Sequence, residues 1–557
     1  MNFRFNQTLR MLAVAGVIGS LAACGGGGGG NPVTTPPAEV ITAPYKYLIT
    51  FVDARTDAPI TDTLTVQFTG PAVDSGEVLD STNKSVKGKS YTTTNGLITA
   101  AANFNGSNDV FSVLGGNLAK GWNTSGVQIL RETSKLGDQI ITVRLNNNNN
   151  AAAIQADTTL GIGMVAGNTT AGVGGVLPAV TLSTTDKTVT NAEGSNESVG
   201  TAKITIPAGT IARDAAGNVA SGALKLTVTK YANSDVDALA AFPGGFSPNA
   251  VLANGTTATG NFVTGGFAQF NLTDSTGKAI KKFDTPIQLT IDLPKTSKNP
   301  STGALLKAGD TYPVWSFDEV SGKWVFEADG QVREKTPVNA SNFEVVFSST
   351  HLSYWNLDYF GSDSCTGTIN IARNPASDAR PLYIDIVGVT GSRFYRSYSS
   401  FTDSTVTLLN SPRINVNVTL KDSKGNVVGS SLNQNLCSGV NVSTIQLPAI
   451  TYATLQTNVT ESCPDGVTGK RAVPTYLYFQ DAAYNFQGGY YATGTSTIGS
   501  IESGTNGTLW VWNRFTNQWQ TSSVAVNAPT TTRDINFPNL QCVTGSFTPT
   551  GGVTGAQ

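Results

Sequence analysis

The sequence predicts an all-β protein built as a row of β-sandwiches, and three observations carry that prediction. Apolar and polar residues alternate over short runs, as in Leu64, Val66, Phe68 and in Leu224, Leu226, Val228, which is the period of a half-buried strand. The runs stop at turn signals such as Gly70-Pro71, Asp274-Ser275-Thr276-Gly277 and Asp422-Ser423-Lys424-Gly425-Asn426. Tracts with helical periodicity are scarce, while Ser, Thr, Asn and Gly dominate the polar positions. Charge is sparse and balanced, with a formal net of -2 and no cluster of Lys and Arg, which excludes a nucleic-acid partner.

The N-terminus carries export information. Arg4 and Arg10 stand before an apolar run, Met11 to Leu21, that is too short and wrongly flanked to span a membrane. It ends in Leu21-Ala22-Ala23-Cys24. This stretch resembles the lipobox of bacterial lipoproteins. The resemblance implies a signal peptide over 1–23, cleavage before Cys24, a diacylglycerol on its thiol and an acylated new amine. With Gly25 rather than Asp after the cysteine, it also implies the outer membrane, facing the periplasm or the surface. Two or three acyl chains hold a protein on a bilayer stably, so the membrane is an expected partner. Residues 24–43 follow as a Gly-, Pro- and Thr-rich tether.

The first sandwich is expected over 44–146. Tyr45 to Val52 is a strand run, Asp53 to Ile60 a turn, and Gln139 to Leu145 the closing strand. The segment VDARTDAPITDTLTVQFTG resembles the small sandwiches called carboxypeptidase-regulatory-like or bacterial Ig-like domains, and the resemblance speaks to fold only. Asn146 to Asn150, with the alanines behind it, reads as low-complexity linker, so 147–200 is expected to hold a linker and leading strands.

A larger sandwich is expected over 201–360. Strands are read at Thr201–Thr210, Phe267–Leu272 and around Ile287, Leu289, Ile291, with one short helix from a Ser234 cap to Phe242. Val314–Phe317 and Lys323–Phe326 flank a turn as a hairpin. A third sandwich is expected over 361–448, an aromatic-rich fourth over 449–545, and a flexible tail over 546–557.

Four cysteines remain besides Cys24, and four allow three pairings. Cys365 with Cys437 and Cys463 with Cys542 is preferred, because each pair then ties the first strand of a sandwich to its last. Metal binding is disfavoured, since there is no CxxC and no nearby His.

Catalysis is constrained by a single histidine, His351. A zinc site of several His is excluded, and neither a GxSxG elbow, a Walker loop nor a dinucleotide fingerprint is present. No cofactor is expected. The surrounding His351-Leu352-Ser353 resembles the His-Leu-Ser/Thr site of the autoproteolytic module of adhesion receptors. It also resembles the His-Phe-Ser site of the β-sandwich domain of netrin receptors and ankyrins, as do ITIPAGTI and WSFDEVSGKWVFEADG upstream. That resemblance implies His351 as general base, Ser353 as nucleophile and Leu352–Ser353 as a scissile bond. A structural turn is the favoured alternative.

In the fourth unit Trp510 and Trp512 share one strand face, with Trp519 close by. An exposed face would be a platform for stacking on a glycan, and a covered one would be core or interface. The sequence therefore favours a non-enzymatic, lipid-anchored envelope or surface protein, structural or adhesive. Self-cleavage at Leu352–Ser353 and carbohydrate binding are the alternatives.

Overall fold

The computed structural model describes residues 41–538, apart from 107–108, 132–136, 191–195, 300–301, 339–340, 390–392, 402, 463–469 and 493. Cys24 and its lipobox, the tether as far as Val40, Cys463, Cys542 and the tail lie outside the described residues. The fold is all-β, a series of sandwiches with only short helices between strands.

Three of the sandwiches share one topology. In each, seven principal strands form two sheets, ordered fourth–first–seventh and third–second–fifth–sixth. In the first sandwich the first strand is Tyr45–Asp53 and the seventh Gly137–Leu145. In the third they are Ser364–Ala372 and Val440–Ser443, and in the fourth Tyr452–Glu461 and Thr530–Phe537. Every first–seventh pair is parallel, running in register from Tyr45↔Gly137, from Ile369↔Val440 and from Thr454↔Thr530. Parallel neighbours cannot be joined by a hairpin, so each sandwich closes only when its last strand arrives. The alternation read from the sequence falls on these strands: Leu64–Thr69 buries Leu64, Val66 and Phe68 and exposes Thr65 and Gln67.

The second unit is larger. One sheet of thirteen strands is closed upon itself by the hairpin pairs Leu272↔Ile280 and Thr273↔Ala279; it packs on a core of its own and, through Phe262, Phe267, Trp315 and Tyr354, on a second core shared with the third sandwich. Ile162–Ala171 and Val180–Ser183 belong to this sheet, pairing with Gly222–Tyr231 and Ala202–Ile206. The short helix is Val236–Ala240, and its cap is Asp235 rather than Ser234, because the Asp235 carboxylate accepts from Ala238 N at 2.8 Å.

The asparagine run departs from the linker expectation. Asn146, Asn147 and Asn148 are buried, and Ala151–Ala156 continues from them as a helix. Asn148 and Asn123 exchange side-chain hydrogen bonds at 2.7 and 3.0 Å, and Asn123 reaches Gln269 at 2.6 Å and Asn271 at 2.8 Å. Asn146 donates to the Tyr231 hydroxyl at 2.7 Å. Most of these amide groups pair with one another without charge, leaving Asn146 Oδ1 and Gln269 Nε2 without a partner among the described residues, and the polar run occupies a buried seam between the first and second units. Ile41 and Ala43, expected at the end of the tether, are likewise buried, against the fourth sandwich.

Cys365 and Cys437 form a disulfide, with Cα atoms 5.8 Å apart. Cys437 sits in the Leu436–Ser438 turn just before the seventh strand, so the bond ties the first strand to the last as expected. It closes a loop with a sequence separation of 72. Replacing both cysteines by Ser should lower the stability of the third sandwich by about 4 kcal/mol, read by urea unfolding.

Candidate functional site

The strand Asn342–His351 turns into Tyr354–Gly361 at the His351-Leu352-Ser353 segment. His351 Nδ1 lies 3.3 Å from the Ser349 hydroxyl, and Nε2 lies 3.6 Å from a Glu327 carboxylate oxygen. The ring also packs on Trp355, with centroids 4.9 Å apart. Burial holds the imidazole below its ordinary value, against the opposing charge of Glu327.

Ser353 is buried, and its hydroxyl donates to the Phe317 carbonyl. The flanking backbone is pinned too: Leu352 N donates to Lys281 O at 3.0 Å, and Ser353 O accepts from Phe270 N at 3.1 Å. No hydrogen bond joins His351 to Ser353 among the described residues. In this arrangement His351 does not reach the Ser353 proton, which favours the structural turn over the self-cleaving site. Purified protein and a Ser353→Ala variant should therefore both run as one full-length species on a denaturing gel, with intact masses as the check.

The tryptophan face is half-buried. Leu509 and Val511 enter the core of the fourth sandwich, whereas Trp510, Trp512 and Trp519 turn outward with Tyr476, Tyr478 and Phe486. That aromatic layer packs on Leu48, Leu97, Ala101 and Ile140 of the first sandwich. Trp510 Nε1 donates to Gln480 Oε1 at 2.9 Å, and Trp512 and Trp519 meet edge-on with centroids 5.4 Å apart. Asp138 accepts from Tyr490 N at 2.8 Å across the same seam. Part of the face expected as a platform forms an interface, where aromatic area on one sandwich meets aliphatic area on another, and each of the three tryptophans keeps some exposed surface.

Two buried ionisable groups had no sequence signal. Asp358 accepts from Val263 N at 2.6 Å and from Asn356 Nδ2 at 2.7 Å, and burial pushes its carboxyl well up. Lys230 donates to Tyr231 O at 2.8 Å, and burial pulls its amine from the ordinary 10.5 down to about 8, against the attraction of Asp292. Their alternation pattern is that of any strand residue, so only the packed structure distinguishes them. Between the two Lys230 values the unfolded chain binds the proton that the folded chain has lost. Stability should therefore rise with pH through that window, and Lys230→Met should flatten the rise in urea unfolding at about pH 8 and about pH 10.

No cluster of His, Cys, Asp or Glu suited to a metal occurs among the described residues. No described helix is long and apolar enough to cross a membrane. Fold and sites together define a tandem β-sandwich protein. No protein-family model and no curated protein matches the sequence. Among solved structures, the chain is similar to the minor pilin GBS52 of Streptococcus agalactiae. The two are 9% identical, over 30% of this chain and 94% of that one, with a TM-score of 0.14. It is similar to a DUF3823 family protein from Bacteroides uniformis, at 10% identity over 29% of this chain and 100% of that one, TM-score 0.14. It is also similar to BcpA, the major pilin subunit of Bacillus cereus, at 8% identity over 88% and 98% of the two chains, TM-score 0.13. Likeness at this level concerns β-architecture alone.

Proposed function

We propose that this chain is a non-enzymatic envelope protein, held on the outer membrane by acyl chains on Cys24, in which packed sandwiches serve a structural or adhesive role. The observation that carries the reading is the repetition of one seven-stranded sandwich three times around a larger unit. Such repetition builds extended, presentable surface, whereas the candidate catalytic residues each have a packing role. Hydrogen-bonded seams support rigidity. Gln128 bridges the first and second units through Gly322 O at 2.8 Å and Asn249 N at 2.7 Å. Thr264 and Arg393 exchange main-chain bonds at 2.8 and 2.9 Å between the second and third. The Cys365–Cys437 disulfide suits an oxidising compartment outside the cytoplasm.

The test is the state of Cys24 in the producing cell. Wild-type protein should sediment with outer membranes, and its N-terminal peptide should carry the mass of a diacylglycerol and an acyl group. Cys24→Ser should leave the membrane fraction. An unmodified, freely soluble wild-type chain would overturn the anchored reading.

A further inference from the structure

The chain enters the described fold on a row of aromatic rings. Ile41, the first described residue, donates its main-chain N–H to the Tyr490 hydroxyl at 3.1 Å and packs with Ala43 against the fourth sandwich. Cys24 precedes it by 17 residues. A Gly-rich chain of that length has ends about 20–25 Å apart on average and about 60 Å apart at full stretch. The surface around Ile41 is thereby kept close to the lipid that Cys24 would hold.

Four strands carry the row away from that point. Their order in the sheet is Phe486–Tyr491, Thr475–Asp481, Thr505–Asn513 and Gln518–Val526. Tyr490 is paired with Tyr476 and Trp512 with Trp519, and the pair Leu477↔Val511 sets Tyr476 abreast of Trp512. Ile41 thus stands at one end of a line of rings that crosses the sheet to its edge strand.

The cover on this line thins toward that edge. Tyr476 and Tyr478 are 1% exposed under the first sandwich, whereas Trp510, Trp512 and Trp519 are only half-buried. Beyond Trp512 and Trp519 the two strands join in a hairpin whose turn leaves Phe515 38% exposed. The Arg514 guanidinium lies over the Phe515 ring, 4.8 Å from its centroid. Thr516, Asn517 and Gln518 beside it are exposed and uncharged. Apolar rings next to polar and cationic heads suit the boundary between water and hydrocarbon, where tryptophan and tyrosine collect.

We propose that the hairpin between Trp512 and Trp519, with Phe515 at its tip, rests on the phospholipid surface to which Cys24 is bound and so fixes how the array stands on the bilayer. The inference rests on the anchored reading: the acyl chains supply the hold, and the hairpin supplies the orientation. One exposed ring and three half-buried ones offer too little apolar area to hold the protein on lipid without those chains.

The test places the full-length chain, purified from the producing cell in detergent, into vesicles of phosphatidylethanolamine and phosphatidylglycerol. Their acyl chains are either plain or brominated near the glycerol, and bromine quenches tryptophan only at contact range. Of the seven tryptophans, Trp122, Trp315, Trp324 and Trp355 are buried in other units, so quenching reports on Trp510, Trp512 and Trp519. Flotation reads the anchor separately. Wild type should float and be dimmed by the brominated lipid. Phe515→Asp should float equally but lose most of the dimming, whereas Phe515→Leu should retain it. A chain that does not float overturns the anchored reading and this one with it. A chain that floats undimmed, or is dimmed alike with Phe515→Asp, overturns the hairpin contact alone. So does a soluble oligosaccharide that shifts the tryptophan emission where bromine does not, which gives the face to a glycan.

Discussion

Parallel pairing of first and last strands is the constraint on which this architecture rests. It places the first strand in the middle of one sheet, flanked by the fourth and the seventh, and leaves the second and fifth in the middle of the other. The edges are then fixed: third and fourth strands at one side of each sandwich, with Val78–Leu79 added outside the fourth strand of the first, and sixth and seventh at the other. Loop closure across a whole domain must be offset before that last pair forms, and the entropic cost grows only slowly with length. In the third sandwich Cys365–Cys437 bonds the chain at the same place, removing part of that cost from the unfolded ensemble.

A sandwich with four edges is prone to pairing with other chains. The packing of the units answers this by turning edges toward one another. The sixth and seventh strands of the first sandwich look toward the third and fourth strands of the fourth one. What fixes that arrangement is polar as well as apolar. Asn123, fully buried, bonds Asn148, Gln269 and Asn271, and loss of any one partner strands an amide at a cost of about 1–3 kcal/mol. Apolar contact tolerates sliding, whereas a set of directional amide bonds has one register. The aromatic layer around Trp510 and Trp512 adds area to the same junction, from the other end of the chain.

Strands were legible in the sequence because alternation is a local property. Tyr45–Asp53, Leu64–Thr69, Gly222–Tyr231 and the Thr311–Asp318/Lys323–Glu334 hairpin all fall where period and turn residues place them. The shared topology of three sandwiches was hidden, since strand order is set by which distant edges meet and leaves no periodic trace. Burial of whole faces was hidden for the same reason. Trp510 and Trp512 look identical in sequence whether a sugar or Leu48 lies above them, and Asn146–Asn148 reads as linker until Asn123 and Tyr231 are brought alongside. His351-Leu352-Ser353 shows the converse limit. The three residue types stand in the order that self-cleavage needs, yet Ser353 is held by Phe317 and His351 by Ser349 and Glu327. Reactivity depends on those partners, none of which is adjacent in sequence.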